Sequence, residues 1–288
     1  MRSRLDVRRT AKLYIGGAFP RSESGRSYEV TATDGAFLAN AARASRKDAR
    51  DAVVAARKAL GGWSRATAYN RGQVLYRVAE MLEGRRDQFV AEVAAAEGLD
   101  DDAASATVDA AIDRWVWYAG WSDKFAQIDG AANPVAGPYF NFSFPEPTGV
   151  VAAFAPQDAS LLGLVSVLAP IIVSGNTCVV VSSETRPLPA VSLSEVLATS
   201  DVPGGVVNLL TGSAAELGPH LASHMDVNAV DLTGVAAEDA ADLEIAAADN
   251  VKRVLRRPAG DPDWTTTPDP TRILAFTETK TVWHPMGI

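Results

Sequence analysis

The chain has 288 residues, 47% hydrophobic and 22% charged, with a formal net charge of −8. That balance suits a globular protein with a real core, in one large domain or two modest ones. A net negative surface repels phosphate backbones and argues against nucleic-acid binding, while one cysteine and three scattered histidines exclude an intrachain disulfide framework and argue against a zinc site.

Residues 1–12 carry Arg2, Arg4, Arg8, Arg9 and Lys12 with no apolar run behind them. They read as a basic flexible arm rather than a secretory leader, and the cytoplasm is the expected compartment. Residues 13–19 read as a strand, a Gly16-Gly17 turn and a return strand. Ser45, with Asp48 three residues on, resembles a helix cap, and Val53, Ala56 and Leu60 follow at helical spacing up to Gly61-Gly62, where the helix is expected to end. Further helices are predicted over 70–83, 87–97 and 103–125. The last of these carries Trp115, Trp117, Tyr118 and Trp121, read as packing core because no basic groove accompanies them.

From residue 139 the pattern changes. Strands are predicted at 139–144, 149–154, 177–181, 206–210 and 229–232, with helices at 161–173, 189–199, 214–223 and 236–248 between or after them. Strands alternating with helices give βαβ units and a parallel sheet. The uncharged run 159–175 is too short to span a membrane and contains Pro170. Residues 258–270, rich in Asp, Pro and Thr, read as a linker, and 277–283 alternates as an edge-type strand.

Many short motifs, all in one order, resemble the aldehyde dehydrogenase superfamily. They include Tyr14-Ile15-Gly16-Gly17, Trp117-Tyr118-Ala119-Gly120-Trp121, Pro147-Thr148-Gly149-Val150-Val151 and Leu168-Ala169-Pro170 with Ser174-Gly175-Asn176-Thr177. Pro203-Gly204-Gly205, Ala222-Ser223-His224, Thr233-Gly234 and Asn250-Val251-Lys252-Arg253-Val254 continue the series. The implied fold class is α/β: a Rossmann-like parallel sheet with flanking helices over residues 13–257, an oligomerisation hairpin from about 135–148, and a C-terminal oligomerisation strand within 271–288. The resemblance skips the family's catalytic domain, whose place the linker 258–270 takes.

The resemblance also implies what the site lacks. Family members use a cysteine nucleophile, an oxyanion-stabilising Asn and a general-base Glu. Cys178 lies in an apolar strand, Asp158 stands at the Asn position and Arg257 falls near the Glu position, so no catalytic residue is expected. Of the cofactor contacts, Glu184, Gly218 and Gly234 match the family, while Val181, Val235 and Ala214 replace its Lys, Ser and Gly. NAD(P) is therefore expected to bind weakly or not at all, and those three residues read as relics. His220 and His224 fall at i, i+4 of one predicted helix with no third ligand, so no metal is expected. The expected function is that of a pseudoenzyme assembling with a full-length aldehyde dehydrogenase subunit, a hetero-oligomer being preferred to a homodimer, with neither nucleic acid nor membrane as partner. The alternative is a nucleotide or CoA-type ligand binder, or an enzyme of another class with Asp158 as acid–base group in apolar surroundings.

Overall fold

The computed structural model describes residues 8–260 and 262–287. The chain opens with a three-stranded sheet of β1 (Thr10–Ala11), β2 (Ser27–Thr31) and β3 (Phe37–Ala42), in the order β1-β3-β2. The expected flexible arm is therefore corrected at its end: Thr10 and Ala11 pair with Asn40 and Ala41, and residues 1–7 lie outside the described residues. The expected opening hairpin reduces to a single bridge, Ile15 to Ala18, because Tyr14 spends its backbone bonds on Leu209 instead. The Gly16-Gly17 turn has positive φ at both residues and lies against Gly204, where a Cβ would sit 2.7 Å from the Gly16 carbonyl oxygen.

Four long helices follow: α1 (Arg46–Arg65), α2 (Ala68–Glu83), α3 (Arg86–Glu97) and α4 (Asp101–Trp121), then the short α5 (Phe125–Ile128). Ser45 and Asp48 form the expected capping box on α1. The expected stop at Gly61-Gly62 is wrong. The helix continues to Arg65 because Trp63 is buried and its indole Nε1 donates to the Ile172 carbonyl at 2.8 Å, and that packing overrides glycine's poor propensity.

The second half holds β6 (Val150–Phe154), α6 (Leu162–Val173), β7 (Thr177–Val181), α7 (Leu188–Ala198), β8 (Val207–Leu210), α8 (Ala214–Ala222), β9 (Ala229–Asp231), α9 (Ala237–Ala248) and β10 (Arg253–Leu255), preceded by β4 (Ala131–Asn133) and β5 (Tyr139–Pro147). Five parallel strands lie in the order β10-β9-β6-β7-β8. Every residue of β6 and β7 is buried, as expected for central strands covered by helices on both faces. The α/β reading therefore holds. His224 lies beyond the end of α8, so it and His220 do not share a helix as expected; the helix stops at Ala222 with Ser223 as its cap.

After β10 the chain crosses residues 256–276, which include α10 (Thr271–Leu274), and enters β11 (Thr277–Pro285). β11 pairs antiparallel with β5 over nine residues, from Thr277 opposite Pro147 to Pro285 opposite Tyr139. The sheet order β11-β5-β4 leaves the outer side of β11 as an edge. Trp283 meets Tyr139 edge-on at 5.8 Å, and the Lys280 ammonium lies 2.8 Å from Glu146.

Candidate functional site

In an open parallel sheet, ligands collect beyond the carboxyl ends of the strands where the strand order reverses. Here that point lies between β6 and β9, since β6 is followed by β7 on one side and joined by β9 on the other. A cleft of about 360 Å³ opens there, between the loop after β6 (Pro156–Ala159) and the loop after β9 (Thr233–Ala236). Its third wall is supplied by Arg257, Pro262 and Trp264 of the crossing segment.

Gly234 lines this cleft, but its lack of a side chain serves the fold first. A Cβ would fall 1.9 Å from the Ala155 carbonyl oxygen, and the Gly234 N–H donates to the Phe154 carbonyl at 2.9 Å. The following helix α9 has no side-chain cap, and Glu238 and Asp239 occupy its first turn. Carboxylates at that end suit the helix dipole and oppose an approaching anion. Gly218 lies in α8, where a Cβ would meet Leu243 of α9 at 3.1 Å, so the space beside it is filled from within the protein.

Glu184 sits on the loop after β7 and is drawn into an ion-pair network. Arg43 lies 3.6 Å from it and 3.4 Å from Glu216, and Arg26 grips Glu216 in turn. The Arg26 hydrogen bond, with Arg43 adding to it, holds the Glu216 carboxyl below the usual range. Tyr28 lies within the electrostatic reach of Glu184 and Arg43; its hydroxyl is buried without a hydrogen-bond partner among the described residues, and burial raises its pKa. Of the three sequence-predicted cofactor contacts, only Gly234 lines the cleft; Glu184 and Gly218 do not.

Asp158 does line the cleft, but it is 90% exposed, with Arg186 at 3.6 Å. The apolar surroundings that an acid–base Asp158 would require are absent, because the Arg186 guanidinium crosses to bond the Asp158 carbonyl and the side chain turns to solvent. Cys178 is fully buried in β7 with its Sγ 3.7 Å from the Val206 carbonyl oxygen, and burial pushes its thiol far up. Arg257 bonds the neighbouring Pro258 carbonyl. Among the described residues no group of three or more His, Cys, Asp and Glu side chains could hold a metal, and no helix is long and apolar enough to cross a membrane.

Sequence reasoning missed the clamp that fixes the third wall. Arg114, buried on α4, donates to Ser166 Oγ at 2.8 Å and to the carbonyls of Trp264 and Thr266 at 2.6 and 3.0 Å. Arg272 on α10 donates at 2.6 Å to Asp231, a fully buried carboxylate at the end of β9, and lies 5.8 Å from the Trp264 ring. The signal was present: Asp231 is a charge inside an apolar strand, which needs a partner. Ile273 and Phe276 are fully buried, so the stretch that leads from the expected linker into β11 is partly core.

Comparison with known proteins places this geometry. The model of the aldehyde dehydrogenase family matches residues 19–261. The human cytosolic 10-formyltetrahydrofolate dehydrogenase is 32% identical over 260 residues, covering 86% of this chain and 28% of that protein. The structure of an NAD+ complex of an aldehyde dehydrogenase from Bacillus cereus matches with a TM-score of 0.80 at 26% identity, over 85% of this chain and 50% of that one. HpcC from Thermus thermophilus matches with a TM-score of 0.81 at 30% identity, over 85% of this chain and 47% of that one. The chain thus spans half or less of the length of these relatives.

Proposed function

The chain belongs to the aldehyde dehydrogenase family, and we propose that it is a non-catalytic member that acts as a structural or regulatory subunit of a full-length family enzyme. The observation that carries this reading is β11. It is nine residues long, bonded to β5 along one side and open along the other, with Tyr139, Phe140 and Trp283 exposed beside it. An open strand edge flanked by aromatics is a pairing surface, and left bare it invites aggregation. A full-length subunit fits better than a second copy. The resemblance implies that these elements dock against a partner's catalytic domain, and here, among the described residues, 256–276 run from β10 to β11 with only the four-residue α10 between them.

The site chemistry supports the same reading. The position that the resemblance gives to an oxyanion donor holds Asp158, which cannot donate when ionised and repels developing negative charge. Arg257 cannot serve as a base, and Cys178 cannot be reached. The residues do not fit a dinucleotide. Val181 is buried where a ribose-binding Lys would stand, Arg43 occupies the Glu184 carboxylate, Leu243 fills the space over Gly218, and acidic residues open α9. The remaining cleft of about 360 Å³ favours one second reading, a nucleotide or CoA-type ligand binder.

The test is purification of the tagged chain alone and after co-expression with full-length aldehyde dehydrogenases of its own cell. Assembly predicts poor recovery alone and a stable, stoichiometric complex with one of them. Soluble, monodisperse chain in every arm, together with saturable binding of NAD, NADP or CoA by calorimetry, would favour the second reading.

A further inference from the structure

A second concavity shares no lining residue with the switch-point cleft. It encloses about 250 Å³ between α1 and the end of α8. Arg46 and Arg50, one turn apart on α1, form one wall; His220 in the last turn of α8 and His224 just beyond it form the other. The small buried side chain of Ala49 and that of Leu221 floor it, which leaves room between the four basic groups.

No carboxylate lines this pocket, on a chain whose net charge is −8. The acids adjoining its walls in sequence are already engaged, Glu216, one turn before His220 on α8, by Arg26 and Arg43. Asp51 is held by Arg50 at 3.0 Å in a solvent-exposed pair, and Asp226 faces Arg57 at 3.7 Å. Arg46 has no ion-pair or hydrogen-bond partner among the described residues. The donors have defined roles. The Asp226 N–H donates to His224 Nδ1 at 3.1 Å, which leaves Nε2 as the N–H donor of the neutral ring. Burial, with the charges of Lys252 and Arg57 added and Asp226 opposing, lowers the His224 pKa below its ordinary value. His224 therefore offers a neutral hydrogen-bond donor beside the two exposed guanidinium groups.

We propose that this pocket is a binding site for a small phosphate monoester, gripped by the guanidinium groups of Arg46 and Arg50 and the imidazoles of His220 and His224. The guanidinium fork of Arg46, the Arg50 Nη1 donors not turned to Asp51 and the two ring donors supply directed hydrogen bonds and positive charge that suit the three free oxygens of a phosphate ester. The volume admits a phosphate on a short carbon skeleton and is too small for a dinucleotide. Because α8 also flanks α9, a ligand here would brace α1 against α8 without entering the switch-point cleft. The site stands independently of the assembly reading.

The test is calorimetric titration of the purified protein, as free chain or complex, with glycerol 3-phosphate and with inorganic phosphate at constant ionic strength. The expected result is saturable one-site binding in which the ester is at least as tight as inorganic phosphate. Arg46→Ala and His220→Gln should each weaken it, the arginine change by about tenfold or more, as for loss of a charge-assisted hydrogen bond. Both side chains are solvent-accessible, so an unchanged unfolding midpoint will show that the variants fold. Arg77→Ala, on the exposed face of α2, should bind as wild type does. Absence of saturable binding in the millimolar range, tighter binding of inorganic phosphate than of the ester, or equal affinity in wild type and Arg46→Ala would overturn the proposal.

Discussion

At the scale of single residues, Cys178 is settled by its surroundings. A thiol fully buried among β-branched neighbours has no route to the thiolate, so native protein at pH 8 should not react with a thiol reagent until it unfolds. Cys178→Ser places a polar hydroxyl in a fully buried apolar strand, 3.7 Å from the Val206 carbonyl oxygen in the thiol's position, and should cost about 1–3 kcal/mol in denaturant unfolding. Arg272→Ala leaves the fully buried Asp231 without its guanidinium and should cost about 3–5 kcal/mol by the same measurement. Such residues were unevenly legible. The role of Cys178 could be read from the unbroken apolar run Thr177–Val181. The exposure of Asp158 could not, because it depends on Arg186 arriving from another loop. Arg114 and Arg272 were invisible for the same reason: their partners lie 52 to 152 and 41 residues away in sequence.

At the scale of elements, the parallel sheet was legible because its strands are continuous apolar runs, whereas the small sheet β1-β3-β2 was overlooked. Asp34-Gly35, with Gly35 at positive φ, turns β2 into β3, a hairpin signal that lies between only weakly alternating strands. The end of α1 departs from what glycine propensity implies because the packing of Trp63 is a long-range contact that the local pattern does not carry. Gly62 is exposed in that helix, and a Cβ added there would meet nothing within 4 Å, so Gly62→Ala should stabilise the protein by about 0.5–1 kcal/mol, seen as a raised unfolding midpoint. β11 is tied to β10 by Arg253, whose guanidinium hydrogen bond holds the Glu278 carboxyl below the usual carboxylate range. A depressed carboxylate contributes its stabilisation above the unfolded-state pKa, about 4.3, and loses it as pH falls through the lower folded value. The pair is solvent-exposed, so the contribution is about 0.5 kcal/mol. Wild type should exceed Glu278→Gln by that amount at pH 7, and the gap should close near pH 3.

At the scale of the whole molecule, one arrangement joins the cleft, the crossing segment and the outer strand. The crossing segment is clamped by Arg114 and Arg272 over the cleft and delivers the chain directly into β11. That clamp spans the segment between β10 and β11, and β11 keeps one open edge. A working active site needs its nucleophile, oxyanion donor and base together, which is why the proposed reading rests on three positions, Cys178, Asp158 and Arg257, rather than on one. The edge needs only its backbone, so β11 is the element through which such a chain can still act on a partner.

The measurement that bears most directly on this claim is recovery of the tagged chain from its native cells, with the mass and composition of the resulting complex determined by light scattering and mass spectrometry. The account predicts a fixed-stoichiometry complex with a full-length aldehyde dehydrogenase subunit. Recovery of the chain as a lone monodisperse species would contradict it.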